Sequence, residues 1–233
     1  MENAIILASG LGSRMRPLTY DTPKPLIKVH GIPMIETVIG ALLRRGVDNI
    51  FVVVGYLKEQ FSYLTEKFSN VQLIVNDQYE HINNISSLMA AEHVLSNGDC
   101  FICEADLFVA DEMVCCVELD KSCYFGKYVC GKSDDWVLEQ DLEGWISRVG
   151  KFGKDCYNMA GIAYFKVHEA GILRCALHEV YDIGGYEDWF WDDVVNMNLY
   201  RLPLVVHKVS EEQIIEIDTL RELESVNREI LGD

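Results

Sequence analysis

The residues best suited to chemistry fall into two sets far apart in the chain. Gly10-Leu11-Gly12-Ser13-Arg14 is followed by Arg16, Lys24 and Lys28, so a flexible turn stands beside four cationic side chains. Backbone N–H groups bared by a glycine turn, with fixed positive charge next to them, suit a polyphosphate. The second set is acidic. Asp106 closes the run Cys100-Phe101-Ile102-Cys103-Glu104-Ala105-Asp106, and Glu216 and Asp218 lie in Gln213-Ile214-Ile215-Glu216-Ile217-Asp218-Thr219. Carboxylates at strand ends suit Mg²⁺, which takes oxygen ligands, usually one or two carboxylates together with substrate phosphates. Alternation along a strand puts Glu216 and Asp218 on one face. Thr219 with Glu222 fits a capping box, which leaves Asp218 free of that duty. For Asp106 the competing reading is an ordinary helix cap.

Regular elements must deliver these groups. Ala4-Ile5-Ile6-Leu7-Ala8 reads as a buried strand that ends at the glycine turn. Ile27-Lys28-Val29 is a short strand turning at His30-Gly31. Pro33 then suits the first turn of a helix whose apolar residues, Met34, Ile35, Val38, Ile39, Leu42 and Leu43, recur at helical spacing until Gly46. Ile50 to Val54 is apolar throughout, as a strand covered on both faces should be. A helix near 57–68 and a strand over 71–75 repeat the unit. This alternation predicts an α/β fold with a doubly wound, mostly parallel, Rossmann-like sheet. Strands around 121–130, 136–140, 145–149 and 160–166 should extend it with antiparallel pairs. Ligands of such sheets bind beyond the carboxyl ends of the strands. That rule points to loops 8–14, 55–56, 76–87 and 104–106.

Composition narrows the class. With 20 Lys and Arg against 37 Asp and Glu, the formal charge of −17 argues against nucleic acid or an anionic membrane as partner. Residues 1–28 run the other way, with four basic side chains against Glu2 and Asp21. Met1-Glu2-Asn3 is no basic leader, the apolar run after it is too short for a signal peptide, and no stretch approaches a membrane span. A cytoplasmic protein is expected. Its eight cysteines include Cys100-x-x-Cys103, which lacks a partner pair and sits in a strand pattern, so buried free thiols are expected rather than disulfides or zinc. A chain of 233 residues can bury a sizeable core as one domain.

A Gly-x-Gly after a strand is by itself a weak signal. No Gly-Lys-Ser/Thr follows it, and Met15 stands where the third glycine of a dinucleotide fingerprint belongs. The longer run from Leu7 to Thr19, Leu-Ala-Ser-Gly-Leu-Gly-Ser-Arg-Met-Arg-Pro-Leu-Thr, followed by Pro23-Lys24-Pro25-Leu26, resembles the signature of nucleotidyltransferases that activate phosphorylated small molecules with an NTP. Asn83-Asn84-Ile85-Ser86-Ser87-Leu88 is similar to the stretch that lines the cytosine pocket in the cytidylyltransferase branch, although Asn84 or Ser86 could instead cap a helix. Asp135-Trp136 and Trp191-Asp192 are similar to the choline pocket of bacterial CTP:phosphocholine cytidylyltransferases of the LicC type. Trp189 and Trp191, two residues apart, do not share a helical face, so at most one of them lines a pocket.

The resemblance spans the chain from Ile5 to a final helix near 219–230. It implies a nucleotide-binding half, 1–120, and an acceptor-binding half, 121–233. It implies nucleotide contacts from Leu7, Ala8, Gly10, Gly12, Ser13 and Arg14, and from Gly55, Tyr79, Asn84 and Ser87. Arg14 and Lys24 become the catalytic cations, Lys24 touching both the α-phosphate and the acceptor. Trp136, Trp191 and Asp192 complete the acceptor site, and Mg²⁺ falls to Asp106 and Asp218, with Glu216 beside them. Glu104 departs from the family's usual Asp-Ala-Asp and receives no role. CTP and phosphocholine are the implied substrates. The alternatives are 2-aminoethylphosphonate, phosphoethanolamine or a sugar 1-phosphate as acceptor and, from another class, a non-catalytic nucleotide-sensing domain.

Overall fold

The computed structural model of the protein describes residues 1–228. Strand β1 (Glu2–Ala8) is buried along nearly its whole length. A short hairpin of β2 (Lys28–Val29) and β3 (Ile32–Pro33) leads into α1 (Met34–Arg45). That helix buries Ile35, Val38, Ile39 and Leu42 and stops at Gly46, whose φ of 90° lies in the left-handed region glycine enters freely. Next come β4 (Asn49–Val54), α2 (Tyr63–Lys67) and β5 (Val71–Val75). The single helix expected near 57–68 is broken. A 3₁₀ turn, Lys58–Phe61, precedes α2, and only Phe61 and Leu64 are buried, a stripe too thin to hold a longer helix. After α3 (Ile85–Ala90), β6 (Asp99–Glu104) returns to the other side of β1, and β7 (Leu107–Val109) follows at once.

The second half begins with a long ribbon, β8 (Cys123–Gln140) and β9 (Ile146–Phe165). The four short strands expected between 121 and 166 are these two. Charged residues at 132–135 and 151–155 interrupt the apolar pattern without ending the pairing. Register slips crowd the ribbon, and Val137 faces both Gly150 and Asn158, so its outer part is folded back on its inner part. Helices α4 (Val167–Ile183) and α5 (Trp191–Met197), strands β10 (Val205–Lys208) and β11 (Ile214–Glu216), and α6 (Leu220–Arg228) complete the described chain. The last two residues of the expected final helix, 229 and 230, lie outside the described residues.

One sheet has the order β10-β8-β9-β6-β1-β4-β5. Strands β6, β1, β4 and β5 are parallel, and β9 runs antiparallel to both β6 and β8. Its two faces are both covered. Ile6, Val52 and Phe101 pack under α1, whereas Ile5, Val53 and Ile102 pack under α3, α4 and α5. Successive residues of one strand thus feed opposite cores. From β1 the chain builds outward to β5 and then crosses back to β6, so the winding reverses between β1 and β6. A crevice at their carboxyl ends is the predicted ligand site of such a sheet. All eight cysteines are unpaired; five are buried, while Cys130 and Cys175 are exposed. No helix among the described residues is long and apolar enough to cross a membrane.

Candidate active site

Beyond Ala8 the chain turns through Ser9, whose hydroxyl is buried 2.6 Å from that of Ser87. Gly12 has φ 59°, and a Cβ added there would stand 2.8 Å from the Cβ of Lys24. Conformation and space therefore both require glycine. The Gly12 carbonyl accepts a hydrogen bond from the Thr19 hydroxyl at 2.9 Å, which ties the turn to the segment bearing Lys24. Lys24 is only 7% exposed, and its Nζ lies 2.5 Å from Asp106 Oδ2 and 2.5 Å from Asp218 Oδ1. Arg14, largely exposed, places Nη1 2.5 Å from Asp218 Oδ2. Arg16 turns away over the Tyr20 ring.

The two acidic stretches meet because β11 pairs antiparallel with β7, Glu216 opposite Leu107. The Ile217 N–H also donates to the Asp106 carbonyl at 3.2 Å. Asp106, Glu216 and Asp218 thereby bring one oxygen each within 4.8 Å of one another. Asp218 is not consumed as a cap: the N–H groups of Asp218 and Thr219 donate to Glu222, and the Glu222 N–H donates to the Thr219 hydroxyl, as the capping box requires. Burial would lower the ammonium pKa of Lys24, but the charges and hydrogen bonds of Asp106 and Asp218 outweigh it and hold the pKa above its ordinary value. Glu216 borders the cleft and meets solvent, yet poor hydration at this concave wall, with the charges of Asp106 and Asp218, pushes its carboxyl up to about 8. Three hard oxygen donors this close together fit a divalent cation such as Mg²⁺.

The glycine turn opens onto a cleft that Leu7, Ala8, Gly10, Gly12, Ser13 and Arg14 border on one side. Tyr79, Asn84 and Ser87 border it on the other. Gly55 is the one expected nucleotide residue that does not line it. It lies behind Tyr79, where an added Cβ would come within 2.7 Å of the ring, so its bareness lets the ring rest on the backbone. Asn76 is buried and donates to the hydroxyls of Ser86 and Ser87, fixing the polar wall. Asn84 precedes α3, but its side chain caps nothing there. Its Oδ1 accepts the Trp191 N–H at 3.0 Å, and its Nδ2 reaches Glu104 Oε1 at 3.4 Å.

A second cleft continues from the first, sharing Arg14, Asn84, Glu104 and Asp106. Asp134, Asp135, Trp136, Lys151, Phe190 and Glu216 line its far part. Trp136 meets Phe190 edge to face, with centroids 5.2 Å apart. The expected partnership of Trp136 with Trp191 is not formed. Trp191 is 3% exposed, stacked on Tyr124 at 5.6 Å, and belongs to the core between the sheet and α5. Asp192 touches the cleft floor but is 4% exposed and accepts a hydrogen bond from the Tyr124 hydroxyl at 3.0 Å. Sequence reasoning gave no role to Glu104, an acid two residues before Asp106 on the same strand edge. Burial, reinforced by the charges of Asp106, Asp192 and Glu216, holds its carboxyl well above the usual range. Phe190 and Lys151 went unnoticed, because only the ribbon's register sets Lys151 opposite Trp136.

Burial pushes the Asp192 carboxyl up to about 7 from a usual 3.8. Between those pH values the folded chain keeps a proton that the unfolded chain has released, so stability falls as pH rises. Asp192→Asn keeps an oxygen for Tyr124 and removes the charge. It is expected to raise stability at pH 8 by on the order of 2 kcal/mol and to flatten the decline between pH 4 and pH 7. Thermal melts across that range check it; an unchanged slope would mean that Asp192 is ionised in the folded chain.

Residues 4–116 match the family described as MobA-like NTP transferase domain. The chain is 52% identical to a 2-aminoethylphosphonate cytidylyltransferase of Lancefieldella rimae, over 95% of this chain and 90% of that one. It is 34% identical to a choline-phosphate cytidylyltransferase of Streptococcus pneumoniae, over 94% of each. The solved structure of the CTP:phosphocholine cytidylyltransferase LicC from Streptococcus pneumoniae superposes with a TM-score of 0.90 at 33% identity, covering 99% of both chains.

Proposed function

The chain belongs to the nucleotidyltransferases with a MobA-like NTP transferase domain and is a cytidylyltransferase, and from that premise we propose that it transfers CMP from CTP to 2-aminoethylphosphonate. One observation carries the choice of acceptor. The second cleft offers the carboxylates of Asp134 and Asp135 and the carboxyl of Glu104, while its aromatic lining among the described residues is the Trp136–Phe190 pair and an exposed Phe152, since Trp191 is packed into the core. A primary ammonium has three N–H donors and wants acceptors, whereas a trimethylammonium donates nothing and wants ring faces. The 52% identity to a 2-aminoethylphosphonate cytidylyltransferase supports the same acceptor.

In this reading a phosphonate oxygen attacks the α-phosphorus of CTP. The new P–O bond forms as the bond to the β-phosphate oxygen breaks, and pyrophosphate departs from the opposite side. No general base is required, because the phosphonate is already ionised. The work of the site is to let two anions approach. Lys24, in the first cleft and paired with Asp106 where the two clefts join, faces the α-phosphate and the incoming phosphonate, while Arg14 at the open mouth holds the departing phosphates. Gly10 and Gly12 leave backbone N–H groups bare for the triphosphate. Asp106, Glu216 and Asp218 would hold Mg²⁺, which supplies charge that offsets the triphosphate. Tyr79, Asn84 and Ser87 wall the space for the base.

Phosphocholine is the second reading, favoured by the Trp136–Phe190 pair and by the likeness to LicC. Pyrophosphate release with each NTP and a panel of phosphorylated or phosphonylated amines and sugars separates them. CTP with 2-aminoethylphosphonate is expected to give a kcat/KM at least tenfold above that for phosphocholine, about 1.4 kcal/mol of discrimination. Equal or better use of phosphocholine overturns the choice of acceptor.

A further inference from the structure

The aromatic pair of the second cleft is not bare. Lys151 stands opposite Trp136 in the ribbon, with its Nζ 5.8 Å from the centroid of Trp136 and 5.4 Å from that of Phe190. Both distances fall within the range over which a cation is attracted to a ring face. The backbone beneath it is pinned. Arg148, itself paired with Glu139, donates to the carbonyl of Lys151 at 2.5 Å and to that of Phe152 at 3.1 Å. Phe152 takes φ 64°, and with Lys151 it lines the same cleft.

We propose that Lys151 is a built-in cation that occupies the ring faces of Trp136 and Phe190 and thereby selects against acceptors bearing a quaternary ammonium. The inference rests on the acceptor reading above and deepens it. A trimethylammonium donates no hydrogen bond, so beyond its bare charge it depends on ring faces, and here a like charge already lies against the rings of Trp136 and Phe190. To stack, it would have to expel the Lys151 ammonium and then lie beside it. A primary ammonium avoids the contest for the rings, since it donates hydrogen bonds to the carboxylates of Asp134 and Asp135, which line the same cleft. The selection therefore acts as negative discrimination, a repulsive group set against the wrong substrate.

The test measures kcat and KM for 2-aminoethylphosphonate and for phosphocholine, each with saturating CTP, in wild type, Lys151→Ala and Lys151→Arg. Lys151 is exposed, so truncation leaves the core untouched, and a melting curve for each variant verifies it. In Lys151→Ala the ratio of kcat/KM, phosphocholine over 2-aminoethylphosphonate, is expected to rise about tenfold, through a lower KM for phosphocholine. Lys151→Arg keeps a cation over the rings and is expected to move the ratio less than twofold. A wild type that prefers 2-aminoethylphosphonate, with a ratio unmoved in Lys151→Ala, overturns the role of Lys151 alone. A wild type that prefers phosphocholine overturns the acceptor reading and this inference with it.

Discussion

Lys24→Ala is expected to lower CMP transfer by about 10² to 10³ fold while the chain still folds. The side chain is only 7% exposed, and its ammonium is the one cation in direct contact with both Asp106 and Asp218 among the described residues. Two negatively charged reactants must meet at this rim. A cation fixed there before they arrive costs no reorganisation during the reaction, which is why its loss falls on turnover. Added Mg²⁺ is not expected to restore the rate, since an ion held by the acids does not take up Lys24's position toward the acceptor. Stability should respond differently. Without Lys24 the three acids lose a competitor for the metal, so Mg²⁺ should raise the melting temperature of the variant more than that of wild type. Pyrophosphate release and melting curves with and without Mg²⁺ test both halves, and near-normal turnover would refute the assignment.

Replacing Asp106 by Asn should be comparably severe, with at least a hundredfold loss of turnover. Asn keeps the shape of the side chain and an oxygen for Lys24, so a loss reports the missing charge rather than a missing contact. The same change at Asp218 removes the charge that Arg14 and Lys24 share, each 2.5 Å away, and leaves an acceptor oxygen for only one of them. Stripping divalent cations from wild type with EDTA should bring it to the same low rate, and Mg²⁺ should restore it. If Asp106→Asn transferred CMP at close to the wild-type rate, the acid cluster would not be the metal site.

Much of the nucleotide half could be read from local pattern, because its signals are local. Ala4 to Ala8 is apolar without a break and lies between two parallel strands, and α1 ends at Gly46 where the periodicity ends. The glycine turn and Lys24 share one short stretch, and the structure sets them around one cleft with most of the residues the resemblance implied. The acids were visible singly at strand ends, but their meeting depends on β7 pairing with β11, which leaves no trace in either segment. Trp191 misled for the same reason. Beside Asp192 and Asp193 it looks like a cation-binding residue, and only the distant Tyr124 turns it into core. The ribbon defeated reading most fully. Its charged middle looked like turns, and its slipped register decides which side chain stands over Trp136.

That ribbon has a bearing on how such a protein diverges. Asp134, Asp135, Trp136, Lys151 and Phe152 all sit on its outer part, whereas the glycine turn, Lys24 and Asp106 belong to the parallel half. A few codon changes in one ribbon can therefore alter which small molecule is activated, with the triphosphate machinery inherited intact.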